Sequence, residues 1–115
     1  MNSLLIVLTN ASAGHEVEFN DWYDNVHLDE VLALPGFVSA RRFRLSDDQL
    51  PEDQMAPSRH RYLAIYDLDI TPAEALGTLL EETRTGRMVL PEYIDQETIG
   101  TWAFDEINVR TAVGS

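Results

Sequence analysis

Several side chains that can take part in acid–base chemistry or stacking lie close together between positions 19 and 27. The stretch reads Glu18-Phe19-Asn20-Asp21-Trp22-Tyr23-Asp24-Asn25-Val26-His27. A histidine titrates near neutral pH, so His27 can accept or release a proton, and Tyr23, four residues earlier, can meet it on one helix face. With stacking area from the rings and a hydroxyl from Tyr23, this composition favours proton transfer on a flat aromatic or polyketide-like molecule.

The same stretch can also be interpreted as an amphipathic helix that faces the core. At about 100° per residue, His27 lies at the margin of a stripe formed by Phe19, Trp22, Tyr23, Val26 and Leu34. In this interpretation His27 is a structural histidine at the edge of the core. Asp24 then has two interpretations as well: a carboxylate that orients the His27 ring, or a charge on the helix surface.

Further candidates lie on predicted strands. Tyr62 and Tyr66 share one strand face, where each is either a phenolic donor or a core aromatic residue. Arg42 belongs to the run Arg41-Arg42-Phe43-Arg44, the one local excess of positive charge in the chain. An arginine there either binds a substrate carboxylate with two hydrogen bonds or pairs with neighbouring acidic residues.

These residues make up one candidate site. Catalysis is assigned to His27 and Tyr23, and substrate binding to Trp22, Phe19, Tyr62, Tyr66 and Arg42. No cofactor and no metal is assigned, because His15, His27 and His60 have no metal-ligand spacing and the sequence contains no cysteine. Haem binding would require an axial ligand, for which His27 can be considered. The sequence also lacks G-x-G-x-x-G, phosphate-loop and G-x-S-x-G patterns, which argues against dinucleotide, nucleotide and serine-hydrolase sites.

Length and charge limit the domain organisation and the partners. The 115 residues predict a single domain, 1–115. Twenty acidic and eight basic residues give a formal net charge of −12, so neither nucleic acid nor an anionic membrane is expected as a partner. The apolar run at 4–8 is too short for a signal peptide or a membrane span, and the absence of cysteine permits a reducing compartment. We therefore expect a cytoplasmic protein.

Six elements must position the candidate residues, in the order β-α-β-β-α-β. The predicted ranges are a strand at 4–9, a helix from about 15 or 16 to just before Pro35, strands at 36–45 and 61–68, a second helix of about fourteen residues, and a strand at 99–109. Pro35 ends the first helix because it disfavours helical geometry at the preceding residue. The second helix begins with Thr71-Pro72-Ala73-Glu74, which has capping-box spacing with proline at the first helical position. The segment 46–58 is a solvated hairpin loop.

Residues along the second predicted strand alternate between two sides. One side carries Phe37, Ser39, Arg41, Phe43 and Leu45, and the other carries Val38, Ala40, Arg42 and Arg44. Neither side is purely polar, so both faces of this part of the sheet need some cover.

The element order predicts an α+β, ferredoxin-like fold, in which a four-stranded antiparallel sheet has both helices on one face. The strands at 4–9 and 61–68 carry apolar residues on both sides, so the face opposite the helices would expose a large apolar patch. A second copy packed sheet to sheet would cover that patch. The pattern therefore predicts an isologous homodimer that encloses a barrel-like interior.

The motif around His27 is similar to that of a known superfamily. The helix stretch quoted above, followed by Leu34-Pro35-Gly36-Phe37 and Ala40-Arg41-Arg42-Phe43, resembles the dimeric α+β barrel superfamily, in particular its EthD-like members. Those proteins commonly show an F-x-x-W-Y-x-x-x-H helix, a P-G-F turn and a strand with an R-R-F-like tail. The superfamily includes cyclases, isomerases, decarboxylases, cofactor-free quinone-forming monooxygenases, haem-binding members and proteins with no assigned reaction. The resemblance implies a cleft between the first helix and the sheet, lined by His27.

Two functions are compatible with these observations. The first is a small cofactor-independent enzyme of catabolic or polyketide-type metabolism, which acts on a small apolar, aromatic or lactone-like compound by proton transfer at His27. The second is a non-catalytic dimer that binds a small hydrophobic molecule or accompanies a pathway, with a structural His27. An open imidazole nitrogen facing a cavity would favour the enzyme, whereas two nitrogens bonded to backbone groups would favour the binding protein.

Overall fold

A computed structural model describes residues 2–114 of the chain. Its strands are β1 (Ser3–Thr9), β2 (Phe37–Arg44), β3 (Tyr62–Leu68) and β4 (Gly100–Asp105). All neighbouring strands are antiparallel, in the order β2-β3-β1-β4. The predicted ferredoxin-like order is therefore confirmed. The prediction for the last strand was too long, because β4 pairs with β1 as far as Asp105 opposite Ser3, where β1 begins.

The first helix consists of three consecutive segments. They are α1 (Glu16–Trp22), one π-helical turn (Tyr23–His27, the π-turn) and α2 (Leu28–Leu32). The helix ends before Pro35, as predicted. The chain then reverses at Gly36, which has a φ of 85° and lies against the Ile70 side chain, so a Cβ at this position would collide with it.

The second helix, α3 (Pro72–Arg84), begins with the predicted capping box. The Thr71 hydroxyl accepts a hydrogen bond from the Glu74 backbone N–H at 3.2 Å, and the Glu74 carboxylate accepts one from the Thr71 backbone N–H at 3.3 Å. Two backbone donors without an intrahelical partner are thereby satisfied.

Both helices pack on the same face of the sheet. The buried apolar core comprises Leu5, Phe19, Trp22, Tyr23, Val31, Phe37, Tyr62, Ala64, Tyr66, Leu68, Ala75 and Ile94. Strand β3 shows strict alternation, with every second residue from Tyr62 to Leu68 buried. The aromatic side chains of this strand therefore point toward the first helix.

A bulge in β2 changes the side that Phe37 faces. The predicted alternation placed Phe37 with Ser39 and Arg41, and this prediction was wrong. The register shifts between Phe37 and Ser39, so one extra residue is inserted into β2 at this point. Phe37 is consequently buried on the helix side, where the half-buried Ala40 also packs against the core, and the Phe37 ring packs edge-on to Tyr66.

The π-turn changes the buried stripe of the first helix. Val26, which was predicted to belong to that stripe, is 48% exposed, whereas His27 and Val31 are buried. A π-helical turn closes i→i+5 hydrogen bonds and so contains more residues than an α-helical turn. Residues after the insertion are rotated relative to a regular helix, which brings His27 from the predicted margin to the inside.

The sheet face opposite the helices is largely apolar on β1, β3 and β4. Its apolar residues are Leu4, Ile6 and Leu8 of β1, Leu63 and Ile65 of β3, Trp102 and Phe104 of β4, and Phe43 of β2. The register also places Ser39, Arg41 and Asp67 on this side, toward the β2 edge, where the Ser39 hydroxyl donates to the Asp67 carboxylate. We call these residues the outer face. Trp102 and Phe104 are each 52% exposed, so the outer face is only partly covered within the protomer. Between residues 2 and 114, no helix is both long enough and apolar enough to cross a membrane.

Candidate functional site

A cavity of about 440 Å³ lies between the helices and the helix side of the sheet. Its apolar lining comes from β1, the first helix, α3 and the segment 88–99, and includes Leu5, Val7, Val31, Leu76, Leu79, Met88, Leu90 and Ile94. Its polar groups belong to Thr9, Tyr23, His27, Tyr66, Thr83 and Thr101. No arginine, lysine or carboxylate side chain lines it within residues 2–114. The volume is typical of a site for a small molecule, and the lining suits an uncharged one.

His27 is held between two aromatic rings. The Trp22 ring stacks on the imidazole, with ring centroids 4.5 Å apart and planes inclined by 19°. Residues five apart lie about 140° apart around a regular α-helix, and the π-turn brings this pair onto the same side. The Tyr23 ring meets the imidazole edge-on, with centroids 5.0 Å apart and planes inclined by 89°. These contacts fix the plane of the imidazole ring.

The two nitrogens of His27 have different surroundings. Nδ1 lies 3.3 Å from Oε1 of Glu30. A carboxylate can only accept a hydrogen bond, so we assign the ring hydrogen to Nδ1 and the lone pair to Nε2. Nε2 has no hydrogen-bond partner within residues 2–114, and no fully buried side-chain nitrogen in that range lacks one. Nε2 is therefore accessible to solvent, and the residue that carries it lines the cavity.

The surroundings of His27 also decide its charge. Burial lowers the pKa of the imidazole below its ordinary value of 6.5. The hydrogen bond and charge of Glu30 act in the opposite direction, and the positive charge of Arg42 lowers the pKa further. The net direction is downward, so the ring is neutral at neutral pH. A neutral imidazole is the form that accepts a proton.

Two phenol groups stand beside the imidazole. The Tyr66 hydroxyl donates a long hydrogen bond of 3.4 Å to the Tyr23 hydroxyl, and both residues line the cavity. Burial raises the pKa of Tyr23 and also that of Tyr66. Both phenols therefore keep their protons at neutral pH and can act as hydrogen-bond donors.

Arg42 lies behind this group of aromatic residues and not in the cavity. Its guanidinium carbon is 4.3 Å from the centroid of the Tyr23 ring, and 5.6 Å from the centroids of both Phe19 and Tyr62. The side chain is only 12% exposed. These distances are those of cation–π contacts, so Arg42 places a positive charge against the backs of the rings.

The hydrogen bonds of Arg42 go to the first helix. Nη1 donates to Oδ1 of Asp24 at 2.7 Å, and Nη2 donates to Oδ1 of Asn20 at 2.9 Å. Asp24 therefore pairs with Arg42 and not with His27. Of the two interpretations of the arginine run, pairing with an acidic neighbour is the one seen at Arg42.

The structure brings together only part of the predicted site. His27, Tyr23 and Tyr66 line the cavity. Phe19 and Trp22 are buried behind them and contribute packing and orientation. Tyr62 and Arg42 line a separate groove on the far side of the helix. The predicted substrate-binding residues Phe19, Trp22, Tyr62 and Arg42 are thus outside the cavity.

Glu30 was not among the candidate residues predicted from the sequence. Glu30 follows His27 by three residues, a spacing that brings side chains together on a helix. Asp24 precedes His27 by the same number of residues. The sequence therefore contains two carboxylates, Asp24 and Glu30, that are equally placed to pair with the imidazole. The pairing of Asp24 with Arg42, a residue far along the chain, leaves Glu30 as the partner of His27.

No protein-family profile and no curated protein sequence matches the chain. Solved structures do match its fold. An ethyl tert-butyl ether D (EthD) family protein from Bacillus halodurans C-125 superposes with a TM-score of 0.64 at 17% identity, over 93% of this chain and 100% of that chain. A candidate monooxygenase from Shewanella loihica PV-4 superposes with a TM-score of 0.62 at 14% identity, over 94% of this chain and 96% of that chain.

A third similar structure is a variant of MhuD with two manganese protoporphyrin IX molecules bound per active site. It gives a TM-score of 0.59 at 15% identity, over 96% of this chain and 99% of that chain. At such identities the likeness concerns the fold. The presence of an EthD family protein among these structures agrees with the resemblance noted for the helix motif.

Proposed function

We propose that the protein is a small enzyme that moves a proton on a small, uncharged, largely apolar substrate, with His27 as the general base. The observation that carries this proposal is the accessible, unpaired Nε2 of a neutral His27 in an apolar cavity. The stacked Trp22 and the hydrogen bond to Glu30 support it, because a base must be held in one orientation to act on one proton.

The cavity lining supports an uncharged substrate. The similar structures include a candidate monooxygenase and a protein that holds porphyrins in its active site. A porphyrin with propionate groups does not fit the lining here, since no cationic side chain within residues 2–114 faces the cavity. The proposed proton transfer therefore uses only residues of this chain and no cofactor.

Hydrogen exchange on a neutral ketone tests this proposal. We suggest 2-tetralone, a bicyclic aromatic ketone, incubated with the protein in D2O and followed by mass spectrometry. The wild type should accelerate the exchange of hydrogens next to the carbonyl, and His27→Gln should reduce the acceleration by about 10²-fold. His15→Gln is the matched control, because His15 also pairs with a glutamate at i+3 but is exposed.

The alternative, a non-catalytic binding protein, predicts a different result. The wild type would then bind neutral aromatic compounds without accelerating exchange, and His27→Gln would change stability more than binding. Binding without any acceleration, across 2-tetralone and a panel of neutral cyclic diketones and lactones, would contradict the proposed enzyme.

We propose in addition that two copies pack through the outer face. The support is the row of apolar residues that each of the four strands contributes to that face, including the half-exposed rings of Trp102 and Phe104. Contiguous apolar patches of this kind on a soluble protein mark interaction sites. A stable interface of this type buries about 1,200–2,000 Å² in total.

A further inference from the structure

We infer that the hydroxyls of Tyr23 and Tyr66 form an oxyanion-binding site, and that the substrate is an enolisable ketone or lactone whose carbonyl oxygen binds there. This inference rests on the proposed role of His27 and names the substrate class for the same cavity. It rests on three features: the hydroxyl hydrogen of the tyrosine pair that has no acceptor, the position of Arg42, and the apolar lining of the cavity.

The tyrosine pair has a donor left over. The two hydroxyls carry two hydrogens, and their mutual hydrogen bond uses one of them. No other acceptor within residues 2–114 takes the second hydrogen. The mutual bond is also long, 3.4 Å against about 2.5–3.0 Å for a usual O–H···O bond. A ligand oxygen that accepts a hydrogen bond from Tyr23 therefore meets a hydroxyl that makes no strong hydrogen bond to another residue.

Arg42 strengthens this donor from outside the cavity. Its guanidinium lies 4.3 Å from the centroid of the Tyr23 ring and is held there by Asp24. A positive charge against the ring stabilises negative charge that develops on or near the phenol oxygen. Burial raises the pKa of Tyr23, and the charge of Arg42 acts against that rise. Arg42 is therefore a positioning and tuning residue for Tyr23, and it does not touch the substrate.

The apolar lining makes such a donor necessary. An enolate formed among Leu5, Val7 and Leu79 would lose the solvation that water gives to an anion. Hydrogen-bond donors that are already oriented toward the developing charge offset this loss. The tyrosine pair lines the same cavity as His27, so base and donor can act on the same molecule.

The proton transfer balances without another reactant. Nε2 of His27 takes a proton from the carbon next to the carbonyl group. The electron pair of that C–H bond becomes a C=C bond, and the carbonyl π pair moves to the oxygen. The oxygen, now an anion, accepts the hydrogen bond from Tyr23. Return of the proton from His27 to another atom of the enolate gives an isomer.

Binding of 4-nitrophenol, a flat oxyanion analogue, tests this inference against 4-nitrotoluene, which has a methyl group in place of the hydroxyl. Tyr23→Phe should weaken binding of 4-nitrophenol by about tenfold or more, and Tyr66→Phe by a smaller factor. Both variants should bind 4-nitrotoluene within about twofold of the wild type. Tyr93→Phe is the control, since Tyr93 packs edge-on to Trp22 and does not line the cavity.

Three results would overturn the oxyanion site: unchanged 4-nitrophenol affinity in Tyr23→Phe, equal weakening of both probes, or no 4-nitrophenol binding by the wild type. A separate measurement tests the role of His27. It is the phenolate absorbance of the bound probe, recorded at a pH where the free probe is protonated. That absorbance should appear with the wild type and with Tyr93→Phe, and disappear with His27→Gln. If it persists in His27→Gln, the proposed base is wrong whatever the tyrosine variants show.

Discussion

Trp22 and His27 lie face to face within one helix, with ring centroids 4.5 Å apart. The contact depends on the π-turn, because residues five apart point to different sides of a regular α-helix. The turn therefore accomplishes two things at once: it buries His27 and it fixes the imidazole plane. π-helical turns are found frequently at functional sites, and here one carries the residue proposed as the base.

The lowered pKa of His27 makes the stability of the protein depend on pH. In the unfolded chain the imidazole binds a proton with a pKa near 6.5, and in the folded protein it binds the proton less tightly. Between the folded pKa and 6.5 the unfolded state holds more protons, so the free energy of unfolding rises with pH. This contribution is complete above about 6.5 and is lost as the pH falls through that window.

Urea unfolding of the wild type and of His27→Gln at several pH values measures the effect. The difference in unfolding free energy between the two proteins should grow in favour of the wild type as the pH rises toward 6.5, and then become constant. A difference that moves in the opposite direction would mean that the fold raises the His27 pKa.

Glu30 should control the basicity of His27. Its carboxylate counteracts the effect of burial, so Glu30→Ala should lower the His27 pKa further. The rate of 2-tetralone exchange should rise with pH to a plateau, with a midpoint below 6.5 in the wild type and lower still in Glu30→Ala. The plateau should fall by about tenfold, because Nδ1 loses the acceptor that orients the ring.

The control for this prediction is Glu18→Ala, which removes the partner of the exposed His15. Its midpoint and plateau should match those of the wild type. A midpoint that stays the same in Glu30→Ala would show that the 3.3 Å contact does not influence the base.

A charge on the outer face should break the proposed dimer. Trp102 lies opposite Ile6 on that face and is 52% exposed in the protomer. Trp102→Glu would place a carboxylate in the apolar interface, where an unpaired charge is strongly disfavoured. Light scattering at micromolar concentration should report a dimer for the wild type and a monomer for this variant. Val17→Glu, at an exposed site on α1, should remain a dimer. A monomeric wild type would contradict the prediction.

The capping box of α3 should contribute measurably to stability. Thr71→Ala removes the hydroxyl that accepts from the Glu74 backbone, at a cost of about 1 kcal/mol. Thr78→Ala, within the same helix, should change the unfolding free energy by less than about 0.5 kcal/mol. Thermal or urea unfolding of both variants measures these changes in unfolding free energy. Equal unfolding free energies for Thr71→Ala and Thr78→Ala would show that the cap is not needed.

Local sequence patterns were sufficient to predict the architecture. Strict alternation in β3, the proline after the first helix and the capping-box spacing at Thr71 each depend on near neighbours in the chain. The antiparallel ferredoxin-like sheet follows from their order. The position of His27 near Tyr23 could also be predicted, since the two residues belong to one helix.

The missed details depend on contacts between distant parts of the chain. Neither the π-turn nor the bulge before Ser39 has a periodic signature, and both change which residues face inward. Arg42 takes Asp24 as its partner only once β2 lies beside the first helix. The cavity walls from Met88 and Leu90 belong to a segment without periodicity, so no sequence pattern connected them to His27.

We propose that His27 presents a neutral imidazole to the cavity with the lone pair on Nε2. Nitrogen NMR of the protein labelled with 15N-histidine measures this protonation state, because the shifts of Nδ1 and Nε2 report which of them carries hydrogen. At neutral pH we expect His27 to show a protonated Nδ1 and an unprotonated Nε2, with Glu30→Ala weakening that preference. A hydrogen on Nε2, or a cationic ring at neutral pH, would show that His27 is not the proposed general base.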